Sequence, residues 1–233
     1  MRIHLNEKMI ARRAKIGRYA SLIGLAVLLI GMIITFRGPQ YVWVSFACLM
    51  IGLIASQVGS YHLRRWGRSP RPDEVLTRSL KGLDKRYHFY GWLLPADYVL
   101  LGPAGLFVFV IKDQTGQVEY RNGRWRQPFK WSRLLTIFAQ EGLGDPEGEA
   151  KAQAARMERF LAKHLSEEEA AAINIQGVVV FISDVQLQLE DEPGVPVMPV
   201  KKLKEYIRRR GKGEKLSGEL REKLVRLLEE RES

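Results

Sequence analysis

Residues 97–127, DYVLLGPAGLFVFVIKDQTGQVEYRNGRWRQ, decide the fold of the larger part of this chain. The apolar run 106–111 leads directly to Lys112 and is typical of a buried strand. Side chains alternate between the two faces of a strand, so Val108, Val110 and Lys112 share one face. The stretch therefore predicts a strand with an apolar body and one cation at its end.

The sequence around this strand predicts a mixed α/β domain. Asn122-Gly123 is a strong signal for a two-residue hairpin turn, and GVVVF at 177–181 is typical of a strand covered on both faces. The predicted order is a helix from Asp73, strands at 87–94, 98–101, 106–112, 118–121 and 124–127, a helix opened by Asp145-Pro146, strands at 175–183 and 195–198, a helix over 199–210 and a last helix capped by Ser217. This order favours a mixed sheet flanked by helices.

Two uncharged segments precede this domain. Residues 19–36 and 41–58 are each 18 residues long, and each would span about 27 Å as a helix, close to the hydrocarbon thickness of a bilayer. A cleaved signal peptide does not fit the first segment, because no A-x-A site follows and a second segment comes at once. A pair of buried soluble helices would usually keep a polar stripe, which neither has. The two segments predict a transmembrane hairpin.

The net charge of +11 is concentrated near this hairpin. Residues 1–71 hold eleven Lys or Arg and one acid, whereas the remaining residues carry 26 basic and 25 acidic groups. Positive charge on both flanks predicts an inner-membrane protein with both termini in the cytoplasm, and these flanks would attract anionic lipid. The predicted segments are a basic cytoplasmic arm at 1–18, the hairpin at 19–60, a basic juncture at 61–72, a domain at 73–210 and a C-terminal helix at 211–233.

Small residues recur in the second apolar segment. Gly52, Ser56 and Ser60 are spaced four apart, a pattern that lets two membrane helices approach closely. The partner is either the first segment or a second copy of the chain, so a homo-oligomer is an open prediction.

The quoted motifs resemble the nuclease-related domain family, NERD, whose fold is that of the PD-(D/E)xK nucleases. The resemblance covers about 73–210 and rests on DYVLLGPAGLFVFVIK at 97–112, on Gly116 and Trp125, on DPEGE at 145–149 and on GVVVF at 177–181. It implies a restriction-endonuclease-like sheet. Matched position by position, it implies that Asp97 is a metal-binding aspartate, Lys112 the motif lysine and Glu74 a helix glutamate.

The chain departs from the family pattern where the chemistry is most demanding. The family's strand glutamate falls at Val110, its Asn-Pro pair becomes Asp145-Pro146, and its glutamine falls at Glu149. Such a site uses paired carboxylates to hold Mg²⁺, which activates water for phosphodiester hydrolysis. A valine in that shell predicts a vestigial site with no cofactor, and metal binding at Asp97 would be weak. An active Mg²⁺ nuclease would need a relocated acid, for which Glu119 and Glu149 are candidates.

Cations and aromatics alternate after the hairpin turn, with no acid between residues 121 and 133. Such side chains can pair with phosphates and stack on unpaired bases, or anchor at a membrane interface, or simply cover a solvated hairpin. The candidate contact residues are Arg121, Arg124, Trp125, Arg126, Lys130 and Trp131. The basic run 201–215 is a weaker candidate, since it also fits the polar face of a helix.

Cysteine and histidine usage excludes other chemistries. Cys48 is the one cysteine, so there is no disulfide framework. The four histidines are dispersed without ligand spacing, which argues against zinc. The resulting prediction is a membrane-anchored, catalytically impaired nuclease-related protein that binds DNA, RNA or a protein partner. The alternatives are an active nuclease and a membrane-associated scaffold without a nucleic-acid role.

Overall fold

The computed structural model describes residues 1–128, 142–213 and 216–230. The chain forms two compact units. One is helical and covers Glu7–Arg71, and the other joins Met1–Asn6 to the chain from Pro72 onward. The first six residues therefore belong to the α/β unit, whereas the sequence predicted a basic arm preceding the hairpin.

The helical unit consists of two long antiparallel helices with short links. Its elements are α1 (Glu7–Thr35), a 3₁₀ turn (Pro39–Tyr41), α2 (Val42–His62) and a π turn (Leu63–Gly67). α1 begins well before the predicted start at Tyr19. Within the described residues, two helical stretches are long and apolar enough to cross a membrane, judged by length and composition. Large apolar side chains on them are exposed, among them Leu22, Ile23, Ile33 and Ile51.

Glycines hold α1 close to α2. A Cβ atom added at Gly24 would lie 2.6 Å from Ser56 Oγ and 3.0 Å from the Gly52 carbonyl oxygen. Gly52 and Ser56 thus contact the first helix of the same chain, and a homo-oligomer through this row stays a prediction. Ser60, the third predicted member, is exposed, and Gly59 faces α1 in its place.

The α/β unit contains nine strands and five helices among the described residues. They are β1 (Arg2–Leu5), α3 (Pro72–Ser79), β2 (His88–Gly91), β3 (Tyr98–Gly102), β4 (Gly105–Lys112), β5 (Gly116–Arg121), β6 (Arg124–Arg126), α4 (Pro146–Ala162), α5 (Glu167–Ala171), β7 (Ile175–Phe181), β8 (Val185–Leu189), β9 (Val197–Pro199), α6 (Val200–Lys212) and α7 (Gly218–Glu229).

Six strands form the main sheet in the order β1-β2-β3-β4-β7-β9. β2, β3 and β4 are antiparallel neighbours, whereas β1, β7 and β9 each pair parallel to a neighbour. The sheet is mixed and flanked by helices, as the sequence predicted. A second sheet, β6-β5-β8, contains the predicted hairpin. Its turn residues Asn122 and Gly123 both have positive φ, as a type I′ turn requires.

Each face of the main sheet has its own apolar core, because strand side chains alternate. On one face, Phe107 and Phe109 of β4 pack with residues of α3 and α6. On the other face, Val108 packs with residues of α4 and α7. Lys112 shares the face of Val108 and Val110, so the candidate site lies on the side covered by α4.

Candidate nuclease-type site

Lys112 lies at the end of β4 and is almost buried, with 7% of its surface exposed. Its Nζ donates hydrogen bonds to both carboxylate oxygens of Glu149, at 2.7 and 2.9 Å. Glu149 lies in the first turn of α4, whose N-cap Asp145 accepts a hydrogen bond from the Gly148 backbone N–H. The predicted capping by Asp145 thus fixes the start of the helix that brings Glu149 to the lysine.

Asp97 immediately precedes β3. Val99 of β3 pairs with Val108 of β4 in antiparallel register, and continuing that register by two residues places Asp97 opposite Val110. Gln153 of α4 joins the site, since its Oε1 accepts a hydrogen bond from the Asp97 backbone N–H at 3.2 Å. Its Nε2 lies 3.5 Å from Asp97 Oδ2.

Val110 fills the position between Asp97 and Lys112. It is 3% exposed and belongs to an apolar cluster with Val118, Ala150 and Val179. The face that would carry a second carboxylate in an active site is therefore packed against α4 and its neighbours.

Gln153 was not predicted from the sequence. It follows Glu149 by four residues, and residues so spaced on a helix share a face. The spacing alone could have indicated that Gln153 shares a helix face with Glu149. It indicates a site residue only once the position of α4 beside β3 and β4 is known.

Two of the predicted acids lie elsewhere. Glu74 is on α3, which packs on the opposite face of the sheet, and it lines a surface cavity with Met1, Ile3 and Lys81. Glu119 alternates with Val118, whose side chain enters the Val110 cluster, so Glu119 points away from it and accepts a hydrogen bond from Gln117 at 2.7 Å. Asp97 and Lys112 thus both contact α4, through Gln153 and Glu149 respectively, whereas Glu74 and Glu119 do not join these contacts.

The residues of this group do not fit Mg²⁺. The ion needs several oxygen ligands in near-octahedral geometry, whereas Val110 offers none and the charge of Glu149 is already paired with the Lys112 ammonium. The arrangement can position a buried cation, but it has no carboxylate at the strand position two residues before Lys112.

The described members of the predicted basic and aromatic set differ in their exposure and contacts. Arg121 pairs with Glu190 at 3.1 Å, and Trp125 is half-buried against Tyr120, with ring centroids 4.6 Å apart. Arg124 and Arg126 are exposed, and no ion pair is recorded for either among the described residues. Lys130 and Trp131 lie outside the described residues.

The basic helix α6 directs two of its cations to backbone groups. Lys204 donates to the carbonyl oxygen of Lys81, and Arg208 donates to that of Gly82 at 3.0 Å. These contacts satisfy the carbonyl end of the α3 segment, a structural role that cationic side chains commonly have at helix C-termini.

Comparison with known proteins identifies the central segment. Residues 76–182 match the family model of the nuclease-related domain, NERD. The chain thus carries a nuclease-related domain. The matched segment includes Asp97, Val110, Lys112 and Glu149, and it begins two residues after Glu74. No curated protein and no solved structure matches the chain.

Proposed function

We propose that this chain is a membrane-anchored nuclease-related protein that binds nucleic acid and does not cleave it efficiently. The observation that carries the proposal is the burial of Val110 in an apolar cluster on the face that it shares with Lys112, at the position where the family resemblance implies a second metal-binding carboxylate. The ion pair between Lys112 and Glu149 supports it, because a lysine held in an ion pair is poorly placed to assist an attacking water.

The proposed ancestry is a PD-(D/E)xK nuclease fold. Support comes from the nuclease-related match and from the mixed sheet whose antiparallel strands β2, β3 and β4 pass into parallel β7. On this proposal, Asp97 and Lys112 correspond to the acid and the lysine of such a nuclease.

The proposed anchor is the α1–α2 hairpin. Its outward side chains are large and apolar, with Leu22 at 63% and Trp43 at 80% exposed. An apolar surface of this extent is costly in water and favourable in lipid. The positive flanks of the hairpin support a cytoplasmic location for both termini.

Nucleic-acid binding is proposed to use Arg124 and Arg126, two exposed cations on the short strand β6. Neutralising phosphates with such side chains releases counterions, so binding should weaken steeply with added salt. The half-buried Trp125 between them is a less suitable stacking platform than the sequence suggested.

The test uses the full chain in detergent or nanodiscs, because β1 precedes the hairpin and belongs to the α/β sheet. Fluorescent single- and double-stranded DNA and RNA are incubated with it in Mg²⁺ or Mn²⁺. We expect salt-dependent binding without cleavage. An R124A/R126A variant should bind several-fold more weakly, with a salt slope smaller by about two, whereas K163A should behave as wild type. Absence of binding at low salt would overturn this proposal in favour of a protein partner.

The Lys112–Glu149 contact favours one alternative, an active nuclease in which Glu149 is the relocated acid. In that case Mg²⁺-dependent cleavage would be lost in both D97A and E149A and retained in E158A, a variant of an exposed acid on the same helix. Cleavage with this pattern of loss would contradict the impaired-site proposal.

A further inference from the structure

Two histidines and a glutamate from distant parts of the chain meet at the edge of the main sheet. His4 is on the edge strand β1, His88 is the first residue of β2, and Glu229 is the last residue of α7. His4 Nε2 lies 3.7 Å from Glu229 Oε1, and His88 Nδ1 lies 3.9 Å from the same oxygen. One candidate ligand atom from each residue lies within 4.8 Å of the other two.

The imidazole rings are held in fixed orientations. β1 and β2 pair in parallel with Arg2 opposite His88 and His4 opposite Tyr90, so both histidines and Tyr90 share a face. The three rings stack, with centroids 5.7 Å apart for His4 and His88 and 4.9 Å apart for His4 and Tyr90. Such stacking restricts ring rotation and lowers the entropy lost when an ion binds.

We propose that His4, His88 and Glu229 bind a divalent transition-metal ion, with Zn²⁺ best suited to the donor set. Two imidazole nitrogens and one carboxylate oxygen are ligands that Zn²⁺ prefers, and water completes a tetrahedral shell. Ligand atoms about 2.0 to 2.2 Å from the ion stand about 3.3 Å apart, so the observed separations from Glu229 need to close by only about half an ångström.

The carboxylate of Glu229 supplies the negative charge among the three proposed ligands and offsets the nearby charge of Arg2. Metal binding needs both imidazoles in their neutral form. Glu229 lies in the last turn of α7, where the negative end of the helix dipole also favours positive charge.

The bound ion would link β1, β2 and α7, which are far apart in the sequence. β1 pairs with the sheet along one side only, and α7 ends two residues before the undescribed terminus. Coordination would hold both against β2 and would thereby stabilise the edge strand of the main sheet.

The experiment measures Zn²⁺ and Co²⁺ binding by the full chain, purified in detergent with a tag that contains no histidine. Competition with a chromogenic chelator gives the affinity, and the visible spectrum of bound Co²⁺ reports its coordination. We expect one equivalent bound, at least ten-fold weaker binding in each of H4Q, H88Q and E229Q, and unchanged binding in H164Q, which alters an exposed histidine just after the end of α4.

Hydrogen exchange supplies a second measurement. Its dependence on Zn²⁺ would not change if these residues had only a structural role. Zn²⁺ should slow exchange at Arg2–Leu5 and at the end of α7 in wild type and H164Q, but not in E229Q, which alters a side chain that is 36% exposed. Failure of the wild type to bind Zn²⁺, or wild-type affinity in H4Q, H88Q and E229Q, would overturn the proposal.

Discussion

Lys112, at the end of β4, and Glu149, in the first turn of α4, form an ion pair. The ammonium bonds both carboxylate oxygens at 2.7 and 2.9 Å. The Lys112 side chain is 8% exposed and that of Glu149 is 46% exposed. The pair therefore has a buried cation whose charge is balanced from the protein surface.

This asymmetry predicts unequal costs for removing the two partners. E149A leaves a buried ammonium unpaired and should lower the free energy of unfolding by about 1 to 2 kcal/mol. Breaking a fully buried ion pair would cost more, but Glu149 is partly exposed and its charge is screened by solvent. K112M leaves only a hydrated carboxylate and should cost less. Thermal and denaturant unfolding of both variants and of K112M/E149A test this, and the double variant should recover part of the loss.

Equal destabilisation by K112M and E149A would contradict that interpretation. It would mean that Lys112 contributes mainly through the packing of its aliphatic stem, which methionine only partly replaces.

Restoring the missing carboxylate is the most direct test of the nuclease ancestry. V110E places an acid opposite Asp97 and beside Lys112, and it should bind Mn²⁺ more tightly than wild type. Without metal the variant should be less stable by about 1 to 3 kcal/mol, because the carboxylate enters an apolar cluster. V110Q is the matched control, since it is similar in size but uncharged. Equal Mn²⁺ responses of V110E and V110Q would show that Asp97 and Lys112 no longer define a metal site.

The sequence predicted the strands around this site because their signals are local. The apolar run 106–111, the Asn122-Gly123 turn and the Asp145 cap each depend on neighbouring residues. The pairing of β1 with β2 has no such signal. The four residues of β1 are separated from β2 in the sequence by the whole helical hairpin. Parallel pairing over such a separation produces no periodic pattern in the sequence from which it could be predicted.

The candidate sites show the same limit. Val110 and Lys112 could be placed on one face from strand alternation alone, whereas the contact of Asp97 with Gln153 requires α4 to cross the sheet at a particular angle. His4, His88 and Glu229 show no ligand spacing, because long-range strand pairing and helix docking bring them together. The prediction that the histidines are dispersed holds along the sequence and fails in space for these two.

Close packing of the helical hairpin predicts a strong effect at Gly24. G24L would place side-chain atoms within 3 Å of Ser56, so α1 and α2 must separate and lose contact along the glycine row. We expect a lower melting temperature and more aggregate on size-exclusion chromatography in detergent. A26L introduces the same side chain at an exposed position of the same helix and should resemble wild type. A G24L variant as stable as A26L would show that this approach is not needed for the hairpin.

The acid dependence of stability should depend in part on Glu169. This residue caps α5 with Ser166 and accepts hydrogen bonds from Lys223 of α7 at 2.6 and 2.8 Å. The Lys223 hydrogen bond, followed by that from the Ser166 backbone, lowers the pKa of Glu169 below its ordinary 4.5. Below about pH 4.5 the unfolded chain takes up protons more readily than the folded one. The stability that Glu169 contributes above that pH is therefore lost as the pH falls through the lower folded value.

In melting-temperature profiles from pH 3 to 7, E169Q should lose part of this acid-side decline and should start from a lower plateau at neutral pH. E158Q removes an exposed acid of α4 and should keep the wild-type profile. Superimposable profiles of E169Q and wild type would mean that the Lys223 contact is too well solvated to couple α5 to α7, since exposed ion pairs often contribute nothing measurable.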